Sequence, residues 1–382
     1  MPGNHTRLAA EKGKSGADGP KRKGTKPGPA PPMAKQARVS LADVAAAAHV
    51  SVMTVSNVVR GREDLVKQET RERVQAAIGA LNYRPQTYGR ALRTSRTSTI
   101  GLLIAVQEED FLSSPWTSRM VAGLSNYLNR NDYGLLVHGQ TPLKLEEALL
   151  LRLSNTDGLC VMLSGTSEVR QDLLRRVTQL GLPVVALQEH LDPTQFDDLA
   201  IVRQDDYGGG ALVGRHLVRQ GARRLAFLEL AFSFPAMSQR MDGIRSELGK
   251  KKGAYVHKME CRGDTIKDVM AVTEKYLSEH ELPDAFIAAN ERLALGLLAS
   301  LKDRGIAAPD DVLLASFNAF DLLAYAINQV PTIDFPAYEV GARAGKRMIE
   351  RLESGTFRTR TDILPAKLVR RDEPRDRTLS RK

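Results

Sequence analysis

Apolar positions change their period once along the chain. Between residues 40 and 81 they recur at intervals of three and four, the spacing of short amphipathic helices. From residue 99 onward, compact apolar runs take over at 100–105, 133–138, 158–163, 182–187, 199–203, 225–230, 285–289 and 312–317. Such runs suit strands buried on both faces. Helically spaced segments separate them, among them 120–128, 146–153 and 209–220. Strand and helix in alternation predict doubly wound parallel α/β layers. Roughly 280 residues of that pattern exceed one ordinary domain and predict two lobes.

The helical stretch is the most informative. Ser40 and Asp43 stand at N-cap and N3 spacing, a carboxylate form of the capping box. Leu41, Val44, Ala45 and Ala48 then share one face, and His49-Val50 makes a tight turn. Ser51 is a second N-cap with Thr54 at N3; Val55, Val58 and Val59 face inward, and Gly61 falls at C′. Two short helices joined this tightly form a helix-turn-helix, whose second helix enters the DNA major groove. Its outward face is expected to present Ser51, Val52, Met53, Thr54, Ser56 and Asn57. Asn57 can pair with adenine in bidentate fashion, Val52 and Met53 can pack on thymine methyls, and Ser51 and Thr54 suit phosphates. The alternative, an ordinary αα-hairpin with a solvated polar face, does not account for the basic flanks. A third helix is expected over about 68–81, with Val74, Ala77, Ile78 and Leu81 inward.

Charge sharpens this reading. Of a net +10, residues 1–37 carry +6 and residues 38–96 carry +5, so the remaining three quarters of the chain is close to neutral. A polyanion is therefore the expected partner of the first quarter alone. Residues 1–37, rich in Gly, Pro, Lys and Ala, read as a disordered basic tail: a solvated linker more readily than a DNA-gripping arm. Met33, just before the first structured helix, reads as an alternative translation start. Residues 85–97 read as a hinge helix and linker. Arg84, just before them, and Arg90, Arg93 and Arg96 within them surround Leu92, which can wedge between base steps in the minor groove or dock on the body.

No apolar run approaches the roughly 18–20 residues that span a bilayer, and the N-terminus lacks an apolar signal core. The only cysteines, Cys160 and Cys261, have no His or Cys neighbours, which argues against a metal site or disulfide framework and fits a reducing cytoplasm. No cofactor is expected. An enzyme is disfavoured because the seven His are scattered and Gly208-Gly-Gly210 lacks the Lys-Ser/Thr of a phosphate loop. Those glycines are expected to permit close packing at a helix start. A secreted solute-binding protein would not carry residues 40–96. A DNA-binding protein with no effector remains a competing reading.

From about Val39 to Asp372 the chain resembles the LacI/GalR family of repressors. The resemblance rests on Leu41-Ala-Asp-Val-Ala45, Thr54-Val-Ser-Asn-Val58, Thr70-Arg-Glu-Arg-Val74, Asn82-Tyr-Arg-Pro85 and the segment through Arg93 to Gly101. Asp157-Gly-Leu, Arg240-Met-Asp-Gly-Ile244, Asn290–Gly296 and Pro309-Asp-Asp-Val312 look like its regulatory core. The resemblance implies a helix-turn-helix domain over 38–84 and a periplasmic-binding-protein-like core of two lobes over 98–382. It implies a homodimer on a pseudo-palindromic double-stranded operator, with a small-molecule effector between the lobes. Dimers rather than tetramers are expected, since the charged segment 370–382 lacks an apolar heptad. The positions implied for DNA are those named above with Tyr83, Arg90 and Leu92; those implied for the effector are Trp116, Thr117, Ser238, Arg240, Asn290 and Asn318. Trp116 can stack on a ring or pack in the core, and Arg240 can clasp a ligand or form an interlobe ion pair.

Four departures stand out. Lys67 replaces a Ser N-cap and Gly89 replaces a hinge Ala, each costing about 1 kcal/mol of local helix stability. Asn318 and Leu187 stand where the family commonly has Asp, which favours an anionic or less polar effector over a polyhydroxylated one.

Overall fold

The computed structural model describes residues 39–59, 65–83, 96–106, 110–141, 152–231, 234–319 and 330–369. The expectations for the basic tail, Gly61, Gly89, Arg90, Leu92, most of the helix at 146–153 and the segment 370–382 lie outside those residues. The chain divides into two compact units between residues 85 and 86.

Among the described residues the first unit has three helices, α1 (Leu41–Ala48), α2 (Val52–Val59) and α3 (Gln68–Ala80). Ser40 and Asp43 form the expected capping box: the Ser40 N–H donates to Asp43 at 2.8 Å, and the Asp43 N–H donates back to Ser40 Oγ at 3.3 Å. His49 ends α1 in the left-handed conformation, φ 53°. The Thr54 N–H donates to Ser51 Oγ at 3.1 Å, so Ser51 starts α2 as predicted. The axes of α1 and α2 turn by 106°, within the range of a helix-turn-helix. Val44, Ala45, Ala48, Val55, Val74, Ala77 and Tyr83 form its core. At the start of α3, Lys67 makes no side-chain cap.

The second unit holds two six-stranded sheets. The first runs β11 (Thr361–Leu364), β5 (Leu199–Gln204), β4 (Val184–Leu187), β3 (Gly158–Leu163), β1 (Thr99–Ala105), β2 (Gly134–Gln140), parallel throughout. The second runs β12 (Lys367–Val369), β10 (Thr332–Asp334), β9 (Leu313–Phe317), β8 (Ala285–Ala288), β6 (Arg224–Leu230), β7 (Tyr255–Cys261); only the β10–β12 pair is antiparallel. The remaining helices are α4 (Pro115–Arg130), α5 (Ser167–Thr178), α6 (Asp206–Arg219), α7 (Pro235–Leu248), α8 (Ile266–Glu279), α9 (Glu291–Asp303) and α10 (Ala337–Ser354). Alternation along β3 shows the layering: Cys160 and Met162 join the core under α4 and α10, while Leu159, Val161 and Leu163 join the core on the opposite face. The chain crosses between the lobes three times, after β5, after β10 and after β11. α10 therefore returns to the first lobe, which the linear reading of the sequence did not foresee.

The lobes are built alike. In the first, Asp157 accepts from the Thr97 and Ser98 backbone N–H groups at 2.6 and 2.8 Å, clamping the start of β1. In the second, Asp284 accepts from the N–H groups of Arg223 and Arg224 at 2.8 and 2.9 Å, clamping β6. Each lobe also has a helix pair held at backbone contact by reciprocal glycines. Gly123 of α4 meets the Tyr338 carbonyl of α10, and Gly341 meets that of Met120. Gly210 of α6 meets the Arg240 carbonyl of α7, and Gly243 meets that of Tyr207. A Cβ at any of the four would overlap a backbone oxygen. The expected role of Gly208-Gly-Gly210 in close packing is thus met at Gly210.

Gly341→Ala is expected to lower stability by about 1–3 kcal/mol in urea unfolding through overpacking. Gly79→Ala in α3, where nothing lies within 4 Å of the new methyl, should leave stability unchanged or raise it by up to about 1 kcal/mol. Lys67→Ser should gain about 1 kcal/mol by restoring the missing cap, seen as a higher unfolding midpoint of the helical unit.

Candidate functional site

The first unit presents α2 by its first turn. Val52 is 47% exposed and Met53 66%, a large apolar exposure for so small a helical unit. Asn57 is half-buried beside them. Ser51 Oγ and Thr54 Oγ1 lie 2.9 Å apart, each hydroxyl engaging the other at the start of the helix. Two expectations are corrected. Ser56, expected on the outward face, is buried, because it follows Val55 onto the side of α2 that packs inward. Tyr83 is buried within the helical core rather than presented outward.

In the second unit a cleft of about 160 Å³ lies at the C-terminal ends of the strands of both lobes. Crevices at strand C-termini of open α/β sheets are where ligands bind, because polar loop residues follow directly on apolar strands there. Trp116 and Thr117 come from the first turn of α4, which Ser114 caps by accepting from the Thr117 N–H at 3.4 Å. Asn290 caps α9 through the Leu293 N–H at 2.9 Å, and Asn318 follows β9 in the left-handed region, φ 66°. Phe111, Met162, Leu230 and Phe234 supply much of the apolar lining. Of the six expected effector residues, the cleft gathers Trp116, Thr117, Arg240, Asn290 and Asn318. Ser238 is not among them: its hydroxyl donates to the Pro235 carbonyl at 3.0 Å, one turn back on α7.

Behind the lining runs a chain of buried polar contacts. Trp116 Nε1 donates to Gln204 Oε1 at 3.0 Å, and Gln204 Nε2 donates to Asp206 Oδ1 at 3.0 Å. Arg240 Nε donates to the same oxygen at 2.8 Å, and its Nη1 donates to the Ala289 carbonyl at 2.7 Å. The guanidinium packs against the stacked rings of Phe317 and Phe335, 4.6 and 4.8 Å from their centroids. Trp116 is core and cleft at once; Arg240 lines the cleft and forms an ion pair, but with Asp206 of its own lobe rather than across the lobes as expected.

Sequence reading missed Gln188, Gln204, Asp206 and Glu291. Each directly follows, ends or lies within two residues of the end of an apolar strand, and that position was the available signal. Glu291 is the most consequential. It is 2% exposed, and its Oε2 has no hydrogen-bond partner. Burial pushes its carboxyl up to about 7, against the lowering effects of its helix N-terminal backbone, Asn318, Arg292 and Arg240. The carboxylates thought lost at Leu187 and Asn318 are thus matched by two others, Asp206 and Glu291, on different elements.

A helix-turn-helix with an apolar recognition turn, joined to a two-lobed body with a deep cleft, defines the class: a DNA-binding transcription regulator with a ligand-binding core. Residues 34–86 match the lacI family of bacterial regulatory proteins, and residues 215–372 match the periplasmic binding protein-like domain. The chain thus carries a lacI-type DNA-binding domain followed by a periplasmic binding protein-like domain, the arrangement of LacI-family regulators. It is 26% identical over 336 residues to the HTH-type transcriptional repressor PurR of Vibrio atlanticus, covering 87% of this chain and 97% of that one. It is 29% identical over 316 residues to catabolite control protein A of Staphylococcus xylosus, covering 81% and 91%. Among solved structures, the Lac repressor bound to ONPG in its repressed state shares the fold with a TM-score of 0.74 at 21% identity, covering 87% of this chain and 99% of that one. Among the described residues, no single helix is long and apolar enough to cross a membrane.

Glu291 also sets a pH dependence. Its carboxyl is raised above the unfolded value of 4.5, so the neutral form is the one folding favours. That contribution is fully present below pH 4.5 and is lost as pH rises through 7, at a cost approaching about 3 kcal/mol at high pH. Glu291→Gln should therefore stabilise the protein at pH 8 and change little at pH 4, as read by thermal unfolding across that range; equal effects at both pH values would refute the assignment.

Proposed function

We propose that this protein is a cytoplasmic homodimeric repressor that reads a pseudo-palindromic operator through α2 and releases or grips it according to a small molecule held in the cleft. The observation that carries the reading is the first turn of α2, where Val52 and Met53 stand exposed ahead of Asn57 in a helix-turn-helix geometry. Apolar side chains there cost solubility unless they meet a partner, and thymine methyls in the major groove are such a partner. Asn57 supplies the adenine contact. Ser51 and Thr54 supply phosphate contacts once their mutual hydrogen bond opens, and Ser56 and Tyr83 act from inside by fixing the pitch of α2. Leu92 supplies the wedge at the operator centre, flanked by Arg90 on the backbone.

A two-fold dimer presents two such helices, so its site repeats in inverted orientation about one DNA turn apart. The solved Lac repressor dimer bound to operator, 21% identical to this chain, is consistent with that arrangement. The cleft supports effector control because it is walled by residues of both lobes, so that a ligand touching both can bias their closure. The solved CelR–cellobiose complex, at 24% identity, shows a regulator of this fold with a ligand bound.

Selection of bound sequences from a random duplex pool is expected to return an inverted repeat. Asn57→Ala should relax the preference at one position in each half-site, losing about 1–3 kcal/mol of discrimination there. Enrichment of a non-palindromic sequence, or of none, would defeat the reading.

A further inference from the structure

We propose that the cleft is built for a small monocation, an ammonium or amidinium group on an apolar body about one ring in size, with the charged end held against Glu291. The inference rests on the cleft being the effector site and adds the chemical class of its occupant.

Charge balance is the first observation. The described charged residues at the cleft are Arg240, Arg292, Asp264 and Glu291, with Asp206 directly behind Arg240. Arg240 is matched by Asp206 at 2.8 Å, and Arg292 by Asp264 at 3.2 Å. Arg203, beyond the lining, is offset by the neighbouring Asp205 and Asp206 carboxylates. Glu291 is left as the carboxylate with no cation within ion-pair distance among the described residues. A buried charge without a counter-ion is costly, and a ligand carrying the missing positive charge relieves that cost.

Unmet acceptors are the second observation. Glu291 Oε2, Asn318 Oδ1 and Asp206 Oδ2 are all buried without a hydrogen-bond partner. Of these, Glu291 and Asn318 line the cleft; Asn318 Oδ1 is an acceptor and so is Glu291 Oε2 once ionised, so the group that completes both must be a donor. An ammonium or amidinium offers several N–H groups and no acceptor, which suits this set. An anionic effector, one of the two classes favoured from the sequence alone, would meet acceptors where it needs donors; the other, a less polar effector, agrees with the apolar body.

Shape is the third. The rest of the lining is largely apolar and aromatic, with Phe111, Trp116 and Phe234 contributing. The volume of about 160 Å³ is close to that of engineered apolar cavities of about 150 Å³ that accept a single benzene ring. The raised carboxyl of Glu291 agrees, since a bound cation would return it to the ionised form and tie affinity to pH.

Trp116 is the single tryptophan of the chain, so the intrinsic fluorescence of the full-length protein reports on this cleft. The probes are benzylamine, benzamidine and cyclohexylamine, with benzyl alcohol, benzoate and ribose as uncharged, anionic and polyol counterparts. At least one cation should saturate the signal and bind about tenfold or more tighter than the alcohol of matching shape, and about tenfold tighter at pH 8 than at pH 6. Glu291→Gln should lose that advantage and its pH dependence, while Glu291→Asp, which keeps the charge, should retain part of both. Thermal unfolding of each variant confirms that the fold is kept, and the wild-type pH profile stands as the independent readout if the Gln variant does not fold. Alcohol or benzoate matching the cations, undiminished cation binding by Glu291→Gln, or no saturable response to any cation at millimolar concentration overturns the proposal. Ribose binding in place of the cations overturns the charge assignment alone and leaves the effector site standing. Operator selection measured on the same protein reports separately on the regulator reading.

Discussion

The buried ion pair between Arg240 and Asp206 fixes the part of the ligand-binding body from which the cleft is made. Its side chains are 4% and 0% exposed, and it joins elements that no sequence run connects. Asp206 opens α6 just past the first interlobe crossing, and Arg240 sits mid-way along α7. The arginine then reaches the carbonyl that ends β8, and Gln204 carries the contact back to Trp116 in the first lobe. Such a pair adds little net stability over a well-packed apolar substitute, but removing one partner costs about 3–5 kcal/mol by stranding the other charge. Its value is positional. It fixes the strand ends and helix starts from which the cleft is made, and the glycine contact between Gly210 and the Arg240 backbone depends on the same helix placement.

What was legible in the sequence follows from how local the determining physics is. Helix caps depend on three or four consecutive residues, so Ser40–Asp43 and Ser51–Thr54 could be read directly and were formed as expected. Fully buried parallel strands announce themselves as unbroken apolar runs, and β3 was found at its observed limits, Gly158–Leu163. The edge strand β7 escaped because Tyr255–Cys261 alternates exposed and buried positions and carries His257, Lys258 and Glu260. Strands β10, β11 and β12 escaped because three or four residues carry no period of their own. They are strands only because the chain recrosses between lobes, a long-range choice that no window of sequence contains.

The site was legible to the same degree. Asn290, Asn318, Trp116 and Arg240 stood out because strand ends and a motif marked them. Their partners did not. Nothing near Arg240 in sequence identifies Asp206, 34 residues earlier, as the group that claims its guanidinium. Likewise Glu291 reads locally as an acidic residue in a helix first turn, where it would be ordinary and exposed. Only the closing of the second lobe over it makes it 2% exposed and leaves one oxygen unmet. The effector class inferred from substitutions at Asn318 and Leu187 counted carboxylates lost at two familiar positions and could not see those supplied from other elements.

Control of the body by a ligand must pass through its three crossings, at residues 205, 335–336 and 365–366, because the sheets on either side are packed on both faces and resist deformation. A ligand shifts an equilibrium only by the difference in its affinity for the two states. One that touches Trp116 and Thr117 alone would bind open and closed lobes equally and change nothing. One that also reaches Glu291 and Asn318 touches both lobes at once and so can bind the closed arrangement better. The Trp116–Gln204–Asp206–Arg240 chain already spans the lobes without a ligand, so closure starts from a partly organised state. The ligand then needs to supply only the remaining difference, and that difference is concentrated at the unmatched carboxylate.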